Sequence, residues 1–273
     1  MPKHGQREKV HTIIFSDLHV SSPLFKAKVL REVLNGYEAE QFVGNGDIFD
    51  HANFNISMFT PFRSRMIGRE GRPQRVPRSH LDFMEDVNGR AKRGCRVQYV
   101  PGNHDDQLWQ VLACFLGASV CDEEYEWTYK GKKFLAIHGD QFDSFYHKYK
   151  WTSEIATRLY ELMQLMGPHA DWLCSLAKSR SKHYTRAIDY VAQGATLHAS
   201  HRGVHHVFCG HTHHPEHRFL NEVHYYNSGS WTASGDHKRK DYCSLITIGE
   251  KGIRIHYFDN DAKEVKIDGP YPI

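Results

Sequence analysis

Short apolar runs recur along the chain, and each one stops at a polar cluster of the same chemical kind. The runs are Ile13-Ile14-Phe15, Gln41-Phe42-Val43, Val97-Gln98-Tyr99-Val100, Phe134-Leu135-Ala136-Ile137 and Val207-Phe208-Cys209. Runs of this length, bounded by Gly, Asn and Asp, predict buried strands. Helical patterns lie between them, over about Pro23 to Gly36, Ser79 to Arg93 and Asp105 to Leu116. Strands alternating with helices predict an α/β fold with stacked strands and crossover helices. A hairpin is expected from Glu124–Tyr129, turning at Lys130-Gly131-Lys132 into Lys133–Ile137. The last third, from Val204 to about Phe258, reads as short strands separated by Gly and Asn turns.

One stretch breaks the alternation. From Gln141 to about His201 the pattern is helical, with Trp151, Ile155, Leu159, Leu162, Met163 and Met166 recurring at three and four residues. A second helix is expected through Trp172, Leu173 and Leu176, ahead of Lys178, Arg180, Lys182 and Arg186. The chain thus reads as a single domain over 1–273 with a helical insertion over about 144–201. The two helices either pack on each other and on the core, or turn an apolar face and a basic stretch toward a ligand.

The clusters that end the runs carry the chemistry: Asp17-Leu18-His19, Gly46-Asp47-Ile48-Phe49-Asp50, Gly102-Asn103-His104-Asp105, His138-Gly139-Asp140 and Gly210-His211-Thr212-His213. A lone copy of any of them suits an ordinary turn, since Asn, Asp and Gly tolerate left-handed backbone. Five in series, each at the carboxyl end of a strand, fall where open α/β sheets form their binding crevices. Together they offer oxygen and imidazole ligands for two divalent cations. Such a pair, about 3.5–4 Å apart, acidifies a bound water and clamps a phosphoryl group, as hydrolysis of a phosphodiester or pyrophosphate requires. It needs one shared anionic ligand, and Asp47 is the expected bridge. Carboxylate, amide oxygen and imidazole without thiolate suit Mn(II) most, with Fe or Zn as alternatives.

In order, spacing and identity these motifs resemble the calcineurin-like metallophosphoesterases, from about Thr12 to Ser230. Within that superfamily Ile137-His138-Gly139-Asp140-Gln141-Phe142-Asp143, a long helical stretch and then Cys209-Gly210-His211-Thr212-His213-His214 look most like the UDP-2,3-diacylglucosamine pyrophosphatase branch and its relatives. The resemblance implies a four-layer α-β-β-α sandwich with a helical cap. It implies a first metal on Asp17, His19, the Asp47 bridge and His213, and a second on Asp47, Asn103, His138 and His211. His104 follows a metal ligand directly, so it is expected to face substrate, where an imidazole can stabilise the transferring phosphoryl group or protonate the leaving oxygen. Asp50 is its expected orienting partner. Asp140 is expected to orient a ligand histidine, and Asp143, Lys182 and Arg186 to contact substrate. In the branch the cap holds an acylated nucleotide-sugar, so the implied partner is a phosphorylated small molecule or lipid-linked nucleotide.

Composition narrows this picture in three ways. Hydrophobic residues make up 40% and charged residues 25% of the 273, ordinary values for a globular enzyme, and plentiful His and Arg depress the mean hydropathy. The six cysteines, Cys95, Cys114, Cys121, Cys174, Cys209 and Cys243, show no paired spacing and read as thiols in a reducing compartment. With no apolar leader and no membrane-spanning run, a cytoplasmic protein is expected, with peripheral contact at the inner membrane face. Finally, Arg63, Arg65, Arg69, Arg72, Arg75 and Arg78 thread a predicted long loop after the Asp47 motif, suited to phosphates of nucleic acid, lipid headgroups or nucleotides. Three readings follow: a pyrophosphatase or phosphodiesterase on a UDP-sugar lipid, a phosphodiesterase or nuclease on nucleotide or nucleic-acid diesters, and a catalytically inactive interaction scaffold.

Overall fold

Strand β1, Glu8–Phe15, splits its apolar residues between its two faces, and so does every central strand after it. In the computed structural model, residues 7–20, 22, 24–49, 66–67, 73–74, 77–105, 117–143, 182–233 and 241–273 are described, with backbone alone for 66–67, 73–74 and 182–184. The helix expected over Asp105 to Leu116, the insertion before Lys182, and the Arg63 to Arg75 side chains lie outside the described residues.

The parallel strands are β1, β2 (Tyr37–Asn45), β5 (Arg96–Val100) and the short β6 (Ser119–Val120) in one sheet, and β8 (Lys132–Ile137), β9 (His206–Cys209) and β11 (Val223–Asn227) in the other. Antiparallel strands complete each sheet. With β12 (Cys243–Gly249), β13 (Gly252–Phe258) and β14 (Glu264–Tyr271), the first runs β14-β13-β12-β1-β2-β5-β6. With β7 (Glu124–Tyr129) and β10 (Glu216–Leu220), the second runs β10-β11-β9-β8-β7. The expected hairpin is β7 with β8, Tyr129 pairing with Lys132. Within the predicted arginine loop, β3 (Met66–Ile67) pairs with β4 (Pro73–Gln74), so that stretch is not loop throughout. Three helices are described: α1 (Ala27–Asn35), α2 (Arg78–Lys92) and α3 (Lys182–His201).

Strand alternation sorts the buried residues into three packed spaces. Ile13, Phe15, Phe42, Val97 and Tyr99 face α1 and α2 through Leu30, Val33, Leu34, Phe83 and Val87. Their sequence neighbours Ile14, Val43 and Val100 face the opposite way and meet Phe134, Ala136, Phe208 and Tyr226 between the sheets. Leu135, Ile137, Val207, Cys209 and Tyr225 pack outward on α3 through Val191, Ala192, Ala195 and Ala199. Helix, sheet, sheet and helix are therefore stacked, the α-β-β-α sandwich that the motifs implied. Asn45, at the end of β2, ties the sheets where the parallel strands finish: its amide nitrogen donates to the carbonyls of Ile137 (3.3 Å) and Phe208 (2.9 Å).

The second sheet holds histidines where an apolar face would serve. His206 stacks on Phe134 and His224, and His217 stands 3.0 Å from His224, ring nitrogen to ring nitrogen. Burial and then the neighbouring His224 push both His206 and His217 down to about 4. Below the ordinary histidine value of about 6.5 the unfolded chain takes up protons that these folded histidines refuse until about 4. Stability should therefore fall as pH drops through that window. Urea unfolding at pH 7 and pH 4.5 should show it, and His206→Phe, which keeps the stack without the titration, should flatten the dependence.

Candidate metal centre

All five ligand clusters sit at the carboxyl ends of parallel strands: Asp17 after β1, Asp47 after β2, Asn103 after β5, His138 directly after β8 and His211 after β9. The loops run alongside one another through main-chain bonds, Asp17 N to Gly46 O, His19 N to Asp47 O and Gly210 N to His138 O, each 3.0 Å. Such close passage demands unusual backbone. Asp17, His19, Asp47, His211 and His213 all have positive φ, between 45° and 64°. Non-glycine residues adopt this left-handed region at a cost, and they concentrate where a site requires it.

Two groups of ligand atoms form. Asp17, His19 and His213 bring theirs within 4.8 Å of one another, and so do Asp17, Asp47 and His138. Asp17 is common to both. Asp47 belongs to the second group alone, and His138, His104 and His19 favour its charge. His213 Nε2 is 3.0 Å from Asp17 Oδ1, and His138 Nε2 is 3.3 Å from Asp47 Oδ2. Neither Asp17 Oδ1 nor His138 Nε2 finds a hydrogen bond of good geometry, although both are buried. The other carboxylate oxygens are taken by main-chain donors, Asp17 Oδ2 by His211 N–H (3.1 Å) and Asp47 Oδ1 by His104 N–H (2.9 Å).

His138 is oriented from behind by a carbonyl, with Nδ1 2.9 Å from Asn45 O, which leaves Nε2 facing Asp47 as an acceptor in the neutral ring. This corrects the role expected of Asp140. Gly139, at φ 110°, turns the chain after His138 into a single 3₁₀ turn, Asp140–Phe142, and the carboxylate delivered to a histidine is that of Asp143, whose Oδ2 lies 3.1 Å from His211 Nε2. His211 Nδ1 lies 3.1 Å from Asn103 Oδ1. With the Nε2 proton given to Asp143, Nδ1 and Oδ1 are two acceptors facing each other, an arrangement that a cation makes favourable. Buried acceptors without hydrogen bonds, paired acceptors and a donor set of carboxylate, amide and imidazole all fit divalent metal.

The electrostatics describe the protein without that metal. Burial pushes the Asp17 and Asp47 carboxyls up, but His213 beside the first and His138 beside the second outweigh it and hold both below the usual carboxylate range. Burial pushes His138 down, yet Asp47 and then Asp17 raise it well above an ordinary imidazole. A proton therefore occupies the position that a cation competes for.

The remaining site residues fall in different places. The His104 ring packs edge-on against His19, centroids 5.0 Å apart, beside the ligand groups. Asp50 and the Lys182 side chain lie outside the described residues. Arg186 is exposed near the start of α3, and Arg78 of the arginine run is engaged with Asp82 (2.7 Å) and Glu85 (3.5 Å). Sequence reasoning gave no role to Asp105. Its buried carboxylate accepts N–H bonds from Phe49 (2.7 Å), Gly102 (2.9 Å) and Ile48 (3.3 Å), pinning the β2 and β5 loops together, and burial followed by Asp47 raises it to about 7. Its place two residues after Asn103 was the only signal available.

An α-β-β-α sandwich with clustered aspartate and histidine at its strand ends defines a metal-dependent phosphoesterase class. The chain belongs to the calcineurin-like phosphoesterase family, whose sequence profile matches residues 10–215, so it is a hydrolase acting on phosphoesters. Comparison with curated proteins found no match. Among solved structures it is similar to Yfce, a phosphoesterase from E. coli, with 16% identity, 95% of this chain and 99% of that one covered and a TM-score of 0.49. It is also similar to an archaeal phosphodiesterase (13%, 90% and 99% covered, TM-score 0.45) and to Vps29 from Entamoeba histolytica (15%, 94% and 96% covered, TM-score 0.44).

Three glycines let the loops approach. A Cβ at Gly46 would stand 2.1 Å from the His138 ring, one at Gly102 2.3 Å from Asp47 Oδ1, and one at Gly210 2.5 Å from Asp17 Oδ2. Gly102→Ala and Gly210→Ala should therefore lose both metal affinity and stability. Gly89→Ala, in α2 and against only the flexible Arg93 side chain, should gain up to about 1 kcal/mol from helix propensity. Metal titration with thermal unfolding of the three variants checks the contrast.

Proposed function

We propose that the protein is a binuclear-metal phosphohydrolase cleaving a phosphodiester or pyrophosphate bond with water, and that its substrate is a nucleotide-linked lipid of the UDP-2,3-diacylglucosamine kind. One observation carries the hydrolytic reading: ligands from four strand ends, separated by nearly two hundred positions, meet in two groups that share Asp17. When bound, a divalent pair supplies an acidified water and neutralises phosphoryl charge. The chain's residues do the rest. Asp17, His19 and His213 would hold one cation, Asn103, His138 and His211 the other, and Asp47 would serve both. Asn45 O keeps His138 presenting Nε2, and His104, outside the ligand groups, protonates the leaving oxygen or stabilises the phosphoryl group, with Asp50 orienting it. Most suited to the set is Mn(II), with Fe or Zn as substitutes.

Support for the lipid substrate comes from the His138-Gly139-Asp140-Gln141-Phe142-Asp143 and Cys209-Gly210-His211-Thr212-His213-His214 pieces and from the helical insertion that separates them. Lys182 and Arg186, at the start of α3, are the proposed diphosphate contacts. Such a substrate brings a cytoplasmic enzyme to the inner membrane face as a peripheral visitor. Among the described residues no helix is long and apolar enough to cross a membrane. The arginine run favours a second substrate class, nucleic-acid or nucleotide diesters, on which binding would weaken as salt rises. A scaffold without activity is disfavoured because every expected ligand is present in the sequence.

Purified protein with Mn(II) should release UMP from UDP-2,3-diacylglucosamine. Turnover of bis-p-nitrophenyl phosphate and short DNA or RNA, with none of the lipid, removes the lipid reading and leaves the diesterase. Inertness toward all of them, with both metals bound, removes the hydrolase. Asp47→Asn should lose metal and turnover together, whereas His104→Ala should keep its metals and lose about 10²–10⁴-fold in rate. Equal metal loss in the two variants would contradict the division of roles.

A further inference from the structure

Asp143, expected to touch substrate, has one carboxylate oxygen turned to a ligand histidine. It is buried, 7% exposed, with Oδ2 3.1 Å from His211 Nε2. The opposite ring nitrogen of His211 faces Asn103 Oδ1 at 3.1 Å. A neutral imidazole carries one proton, so a proton on Nε2 toward Asp143 leaves the Nδ1 lone pair on the Asn103 side.

The position of Asp143 is set by a short relay. Gly139 turns the chain in a left-handed conformation, and its N–H donates to the Gln141 side-chain oxygen (3.0 Å). Phe142 N–H bonds to Gly139 O (3.1 Å) and Asp143 N–H to Asp140 O (3.0 Å), closing the 3₁₀ turn. The Phe142 ring then seats in a notch on α3, where a Cβ at Gly194 would stand 2.6 Å from it. Glycine is among the poorest helix formers, and its presence inside a helix of twenty residues is accounted for by that ring. Further along, His198 of α3 and Arg202 just past its end pair with Glu124 of β7, which fixes the helix against the sheet.

We propose that Asp143 is a positioning residue for the second metal, holding His211 with its proton on Nε2 so that Nδ1 is the ligand atom, and that α3 sets this through Phe142 and Gly194. The inference rests on the binuclear reading above and deepens it. It ties the second cation, but not the first, to α3, the end of the expected 144–201 insertion, because Asp17, His19 and His213 make no use of the 3₁₀ turn.

The test uses the full chain. Mn(II) titration of the wild type should resolve two binding steps. Asp143→Leu, similar in shape but without an acceptor, should weaken one step by about 10–100-fold, the usual consequence of removing an outer partner of a ligand histidine. That step should be the one lost in Asn103→Ala, and the other should be the one lost in His19→Ala. Gly194→Ala should weaken the same step in the same direction, since Phe142 must shift. In zinc-loaded wild type, ¹⁵N spectra of the imidazoles, assigned with His211→Asn, should show His211 protonated at Nε2, a readout that a merely structural aspartate would not set and that needs no Asp143 variant to fold. Protonation at Nδ1, an unchanged second step, or equal weakening of both steps overturns the proposal alone. A wild type that binds fewer than two cations overturns the binuclear reading and this inference with it.

Discussion

Two carboxylates buried side by side govern this structure. Asp17 is 0% and Asp47 2% exposed, and unpaired charges at such depth would cost several kcal/mol each. Everything around them compensates. Main-chain N–H groups of His211 and His104 bind one oxygen of each, and the imidazoles of His138 and His213 face the others. Strained left-handed backbone at five ligands and glycines with no room for a methyl group bring those partners within reach. Such strain persists only where surrounding structure holds it in place, and here that structure is a pair of sheets packed face to face, with the ligand loops at their strand ends.

The seam between the sheets is correspondingly polar near the site and apolar away from it. Asn45 spans it to two carbonyls of the second sheet while its own carbonyl orients His138. Ser16 Oγ meets Ser228 Oγ at 2.7 Å, and Ser244 donates to Ser228 O at 2.7 Å. Beyond this, Ile14, Val43, Phe134, Phe208 and Ile246 fill the space with hydrocarbon. The apolar part keeps the sheets together, and the polar part fixes their relative position where the ligands must converge. Hydrogen-bonded groups in a buried seam do this better than apolar packing, because few other arrangements keep their bonds.

The elements were legible in the chain because each leaves a local pattern. Strand runs, the β7–β8 hairpin and the extents of α1 and α2 follow from periodicity and turn residues within a few positions. The expected helix over Ser79 to Arg93 is found as Arg78–Lys92, while the one over Pro23 to Gly36 is shorter, Ala27–Asn35, with Phe25 buried just ahead of it. The β3–β4 ladder was missed, since two-residue strands carry no periodicity. Ligand types were readable for the same local reason: each falls where its own apolar run stops.

By itself, then, the sequence determined which strands are buried, which residue types end them and what chemistry those types suit. Only the tertiary structure decided who meets whom. That Asp17 joins both ligand groups, that a main-chain carbonyl rather than Asp140 orients His138, that Asp143 turns to His211, and that Asp105 pins two loops all depend on strand order and on how the sheets pack. These contacts join residues from tens to nearly two hundred positions apart, or hang on the turn after a single glycine. No local pattern encodes them, because they arise from the shared geometry of neighbouring strand ends and not from the preference of any one segment.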